Sequence, residues 1–335
     1  MRKKEIAFIL FTIVMLSLCG CADKEPESID FDFHAEVETT QEAESLEERE
    51  DFSFSKLKRY KFLFASGAGG WGTILHINQD GSFSGEYSDS EMGEKGEEYP
   101  YGTTYQSNFN GRFTQPVKVN EYTYSMQIAE INYVKEVGTE EIKDSIRYCY
   151  TDVYGLDEEN DILIYMPGAP LAELPEEFRS WVGYHDLSAT TDTELPFYAL
   201  NNEAQQQGFS GHDMVSEFEE DLANEERWAD EIERFIEQDA TTTMEYNEKT
   251  QALFEEWDYM LNKLWEILQF TQDADTMAAL TVEEREWIAW KEQEIEKAGA
   301  DYEGGSMQTM FQNMKAAELT KDRVYELMKH ISNNN

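Results

Sequence analysis

The stretch FASGAGGWGTILHINQDGSFSGEY, residues 64–87, holds the spacing in this chain nearest to a catalytic fingerprint. Gly67, Gly69 and Gly72 fit G-x-G-x-x-G, and Ile74 extends the match to the kinase-type form G-x-G-x-x-G-x-[VI]. A dinucleotide cradle needs a helix directly after the glycines, so that its N-terminus faces the pyrophosphate. Here WGTILHIN alternates its large apolar residues and runs into the turn Asn78-Gln79-Asp80-Gly81, so no helix opens. The kinase form needs a V-A-I-K lysine, an H-R-D loop and D-F-G; none is present, and His185-Asp186-Leu187 lacks the arginine. The glycines therefore predict a tight bend or bulge beside Trp71. The five histidines are scattered without H-E-x-x-H, and NQDGSFSGEYSDSE fails the calcium-loop spacing. With 70 Asp and Glu a glycosidase-like pair can be drawn anywhere, so no pair carries information. The reading is non-enzymatic, with no catalytic residue, cofactor or dedicated metal site.

The cysteines point to a different chemistry. Arg2-Lys3-Lys4 precedes an apolar run from Ile6 to Leu18, the pattern of an export signal and too short to span a bilayer. In Leu18-Cys19-Gly20-Cys21 a leucine stands three residues before a cysteine, with glycine immediately before it, which is a lipobox. Cleavage after Gly20 would leave Cys21 as the new N-terminus with lipid on its sulfur, a membrane anchor facing outside the cytoplasm. Cys149, in SIRYCYTDV, is then the one remaining thiol and reads as a small strand residue. Net charge is -43; losing Arg2, Lys3, Lys4 and Glu5 with the leader removes a net +2 and leaves about -45. Such a chain repels nucleic acid and anionic headgroups and attracts strongly basic proteins.

Residues 21–51 are dense in Glu and Asp without an apolar period, which predicts a disordered, self-repelling acidic tether. Residues 52–211 read as β: RYKFLFAS, GTILHIN, SFSGEY, SIRYCYTDV and DILIYM are short aromatic and β-branched runs parted by turns. In NEYTYSMQIAEI, Tyr122, Tyr124, Met126 and Ile128 share one face. YGLDEEND reads as a turn, LAELPEEFRSWVGYH as holding a short helix, and SATTDTELPFYALNNEAQQQGFSGH as a loop-rich exit. From residue 212 to 335 the period becomes helical. Phe218, Leu222, Ile232 and Phe235 mark one helix, and Leu253, Trp257, Met260, Leu261, Leu264, Trp265 and Leu268 a second. Thr281 and Glu284 form a capping box predicted to open a third, carrying Trp287, Ile288 and Trp290, and a fourth runs from about Ser306 to Ser332. The fold class is α+β: an antiparallel β barrel or sandwich followed by an all-α helical bundle.

The segment from about Tyr246 to Ile331 resembles the LprI-type lysozyme-inhibitor-like domain, a small helical domain of bacterial envelope proteins. A D-x-x-L-N type helix is matched by Asp258, Leu261 and Asn262, and a W-I-x-Y-R-D run by Trp287, Ile288, Trp290, Lys291 and Glu292. A glycine-glycine-serine turn is matched by Gly304, Gly305 and Ser306, and an L-T-x-x-R ending by Leu319, Thr320 and Arg323. The family often carries two cysteines at places that fall here near Ile295 and Lys315, so the resemblance implies a bundle without the helix–helix disulfide. It also implies, together with the charge, a basic protein partner such as a lysozyme. Ser84-Gly85-Glu86-Tyr87 is one residue short of the S-G-x-x-Y loop of membrane-bound lysozyme inhibitors and falls within a predicted strand. The rival reading is a small-ligand-binding or sensing lipoprotein that uses the interior of the β domain.

Overall fold

The computed structural model describes residues 52–67, 69–156 and 161–332. The leader, Cys21, the acidic tether, Ala68 of the glycine motif and residues 157–160 of the expected turn lie outside them. The β region begins with β1 (Tyr60–Ala65), β2 (Trp71–Ile77), β3 (Ser82–Glu91) and β4 (Thr103–Phe113). It continues with β5 (Val117–Lys118), β6 (Thr123–Tyr133), β7 (Glu140–Lys143), β8 (Ile146–Tyr150) and β9 (Asp161–Tyr165). After a short helix α1 (Glu176–Trp181) come β10 (Ala199–Asn202) and β11 (Gln207–Asp213). Four long helices follow: α2 (Met214–Gln238), α3 (Thr243–Thr271), α4 (Ala274–Gly299) and α5 (Gln308–Ser332). Among the described residues no helix is long and apolar enough to cross a membrane.

Closure decides between barrel and sandwich. Strands pair in the order β6-β9-β10-β11-β1-β2-β3-β4, and β4 pairs back onto β6, giving a closed eight-stranded barrel in which every pairing is antiparallel. A closed ring leaves no open sheet edge within the barrel itself. Outside the ring, β5 pairs with β6, and the β7–β8 hairpin attaches through β8, which runs parallel to β4. The expectation of antiparallel strands therefore holds throughout the barrel and in the β5–β6 and β7–β8 pairs, the parallel contact of β8 with β4 being the exception. The segment expected to be a loop-rich exit supplies β10 and β11, the two strands that close the ring between β9 and β1. Their sequence hides this because the buried positions include amides and glycines in place of apolar side chains. Asn202 donates to the Gly155 carbonyl, and Asn201 donates to the Tyr165 hydroxyl. A side chain at Gly208 would collide with Phe178 of α1, which packs on the outside of the wall.

The two glycine-rich turns are hairpins. Residues 66–70 join β1 to β2, with the Ser66 amide donating to the Trp71 carbonyl and Gly69 at φ +72°, so the motif is a bend between strands. Asn78–Gly81 joins β2 to β3, with Gly81 at φ +80°. Ser84-Gly85-Glu86-Tyr87 lies inside β3, paired with both neighbours.

Side chains fill the barrel. Phe62, Phe64, Leu75, Phe83, Phe109, Met126, Ile162, Ile164, Leu200 and Phe209 form one buried cluster, and each large side chain removed from water contributes about 1.5–3 kcal/mol. One end is covered by Phe52 and Phe54, the Phe52 carbonyl accepting from the Gln115 side chain. The other end is plugged by residues 151–156. Thr73 donates to the Tyr154 carbonyl at 2.6 Å, Ser107 to the Thr151 carbonyl, and the Val153 amide to the Tyr133 hydroxyl. An interior occupied in this way argues against the small-ligand reading. Cys149 is a buried residue of β8 whose thiol is pushed up by burial and by the nearby Glu140.

Candidate functional site

The helical region is built from strong local signals. Asp213 caps α2, its carboxylate accepting from the Val215 and Ser216 amides, and the same carboxylate holds Arg59 at 2.8 Å. β11 runs to Asp213 and α2 starts at Met214, just past the expected boundary at residue 211. Thr242 and Glu245 form a full capping box on α3. The capping box expected at Thr281 and Glu284 is not one. Asp273 caps α4 two turns earlier, and Thr281 sits inside the helix, donating to the Met277 carbonyl. The weak apolar period of ADTMAAL concealed those turns. α3 and α5 run parallel, as the contacts of Asn313 with Thr250 and of Gln272 with the His330 carbonyl require. α2 runs antiparallel to α3, as Lys249 against Phe235 and Lys263 against Asp221 require.

Several residues singled out by the resemblance converge on a latch between α3, α4 and α5. Arg323, 2% exposed, meets Glu284 at 2.9 Å and Glu283 and Glu326 at 2.7 Å each. Burial disfavours the guanidinium charge, but these carboxylates more than reverse it. Burial raises Glu284 despite the arginine beside it. The Trp287 ring lies against both Arg323 and Lys291. Lys291 is lowered by burial and stands 3.9 Å from Asp258, onto whose carbonyl Asn262 folds back. Leu261 and Leu319 are buried. Trp290 is not part of the latch and is 46% exposed, whereas Trp257 is fully inside. Gly304, at φ +73°, and Gly305 form the turn before α5, away from these contacts.

A groove of about 570 Å³ opens between α2 and α5 over the face of α3. Its floor is Ile236, Leu253, Trp257 and Ala317, and Phe311 and Met314 stand at the α5 lip. The rim carries Glu233 and Glu237 from α2 and Glu318 and Asp322 from α5. Two lysines are also present, both engaged: Lys315 with Glu318 at 3.1 Å, and Lys321 over the Trp257 ring. The α2 side of the groove is acidic, whereas the α5 side alternates Lys315, Glu318, Lys321 and Asp322, so positive charge on a ligand is favoured along α2. The rim residues carry no motif, and within so acidic a sequence they read as a solvated face.

A second cavity, about 300 Å³, lies between α2 and α3 and includes Asp221, Glu225, Glu256, Trp228 and Tyr259. Burial, with Glu256 adding repulsion, pushes the Glu225 carboxyl up to about 7. Asp221 is engaged by Lys263. Among the described residues no group of three or more His, Cys, Asp or Glu is placed to hold a metal ion.

Residues 236–327 match the family model described as Lysozyme inhibitor LprI. The match begins in the last turn of α2, takes in all of α3 and α4 and ends within α5, so the similarity lies in the helical region that follows the barrel. It covers just over a quarter of the chain. No curated protein and no solved structure matches the chain.

Proposed function

We propose that this protein is a lipid-anchored envelope inhibitor that captures a basic, lysozyme-class protein in the groove between α2 and α5. The observation that carries the reading is the coincidence of the LprI match with the helices that build most of the groove. The net charge of -43 supplies long-range attraction, and Glu233 and Glu237 on α2, with Asp322 across from them, supply local complementarity. No bond is made or broken: inhibition is occupancy. Cys21, acylated after leader removal, holds the protein on the outer side of the cell membrane, with residues 22–51 as spacer.

Lysozyme activity on cell-wall suspension, titrated with the purified protein, tests the reading. Inhibition is expected, and exchanging Glu233, Glu237 and Asp322 together for lysine weakens it roughly tenfold or more. Full lysozyme activity at saturating wild-type protein and low salt would remove the proposal. Mass spectrometry of membrane-extracted protein tests the anchor: an intact Met1, or Cys21 without acyl chains, excludes it.

A further inference from the structure

The segment that joins the barrel to the helices holds a second constellation, apart from the groove. Side chains of β11 alternate: Phe209 lies in the barrel core and Gly211 lies over Phe62, so Gly208, Ser210 and His212 face outward. α1 covers Gly208 and α2 begins at Met214, which leaves Ser210 and His212 part-exposed between the two helices. Ser210 Oγ lies 3.0 Å from His212 Nε2, and His212 Nδ1 lies 2.8 Å from a carboxylate oxygen of Glu217 in the first turn of α2. An ionised carboxylate only accepts, so it takes the Nδ1–H and leaves the Nε2 lone pair for the serine hydroxyl. The other acceptor near that hydroxyl, the Leu63 carbonyl, is farther away at 3.4 Å. Nucleophile, base and orienting acid thus stand in hydrogen-bonded order. In sequence, Ser-Gly-His with a glutamate five residues on belongs to no motif, because the carboxylate arrives from the helix. Charge for an oxyanion comes from a side chain. The Gly211 amide, next to the serine, already donates to the Tyr198 carbonyl at 2.8 Å. Lys61 pairs across the strands with His212 and stands 3.6 Å from the second Glu217 oxygen, so its ammonium is on the same face.

We infer that Ser210, His212 and Glu217 form an acyl-transfer site that hydrolyses small, uncharged esters with good leaving groups. Ser210 Oγ bonds to the ester carbonyl carbon while His212 Nε2 takes the hydroxyl proton. The bond to the alcohol oxygen breaks, and that oxygen departs with the proton from His212. Water then attacks the acyl-serine and passes a proton to His212; the released Oγ recovers it as the carboxylic acid leaves. Ser210 and His212 are the catalytic residues, and Glu217 is a positioning residue that fixes the imidazole tautomer. A net charge of -43 keeps anionic esters away. With Lys61 in place of an amide-lined oxyanion pocket, the less reactive amide bond stays out of reach.

The test treats the full chain with a fluorophosphonate, from whose phosphorus Oγ displaces fluoride while His212 takes the hydroxyl proton, and maps adducts by mass spectrometry of the peptides. Turnover is followed with p-nitrophenyl acetate. A single adduct on Ser210 is expected, together with ester hydrolysis that Ser210→Ala abolishes. His212→Gln should slow labelling about 10²-fold. Glu217→Gln should slow it roughly tenfold, and Glu217→Asp, which keeps a carboxylate, should restore part of the rate. A contact that only held the fold would lower the melting temperature and leave the labelling rate alone. No adduct on Ser210 in the wild-type protein, labelling spread evenly over several serines, no turnover above buffer, or turnover retained by Ser210→Ala overturns the inference. The site is independent of the groove, so ester turnover without lysozyme inhibition, or the reverse, separates the two proposals.

Discussion

Arg323 shows how much a single side chain can organise. It is buried among three carboxylates, and its Nη2 has no hydrogen-bond partner among the described residues. Of the three acids, Glu283 and Glu326 are half exposed and keep their water, whereas Glu284 is 12% exposed and depends on the guanidinium. Arg323→Ala strands that carboxylate and is expected to cost about 3–5 kcal/mol. Arg323→Met with Glu284→Gln removes both charges and should recover most of the loss. Urea unfolding of the three proteins decides it. A single-variant cost below about 1 kcal/mol would mean that the latch is a surface feature. The resemblance marks Arg323 but not its partner Glu284, because a Thr-x-x-Glu spacing is the same string at a helix start and inside a helix.

Among the elements, β3 and β4 hold a device the alternation pattern does not express. Gly85 faces Phe109 and Gly111 faces Phe83 across the pair, so each ring lies over the glycine opposite. A Cβ at Gly111 would fall 2.1 Å from the Glu130 carbonyl oxygen on β6 and 2.4 Å from the Phe83 ring. The neighbouring register shift at Arg112/Phe113 marks the same crowding, where β4 bends to meet β6. Gly111→Ala is therefore expected to lose about 1–3 kcal/mol by overpacking. A denaturation midpoint equal to wild type would contradict the β4–β6 closure. A glycine inside a strand reads in sequence as weakness; here it makes room for a ring.

At the scale of the whole molecule, barrel and helices belong to one compact unit. His76 on β2 stacks on Phe270 of α3 at 3.8 Å and 6°, and Lys58 donates to the Thr271 carbonyl at 2.9 Å. Burial, reinforced by Lys61, lowers His76 from 6.5 to about 4. The unfolded chain takes up this proton below about 6.5, while the folded one resists until about 4. Its contribution to stability is thus intact above pH 6.5 and declines as pH falls through that window. His76→Phe keeps the stack and removes the titration, so the stability gap between variant and wild type should shift in favour of the variant from pH 7 to pH 4.5. Thermal melts at the two values measure it, and parallel shifts in both proteins would show that this joint is not what the proton opposes.

Local chemistry in the chain determined the β-to-α change near residue 212, the hairpins at the glycine turns, the faces of β6 and α3, and the LprI-like segment. These depend on neighbours within a few residues, where side-chain period and turn preference act directly. Packing between distant residues settled the rest. Ring closure by β10 and β11 rests on buried amides and glycines whose partners lie elsewhere in the chain. Which of the 70 acidic residues form the groove walls depends on how α2 and α5 lie across α3. An isolated carboxylate looks the same to its neighbours in sequence whether it faces open water or an apolar slot, and only the fold distinguishes the two.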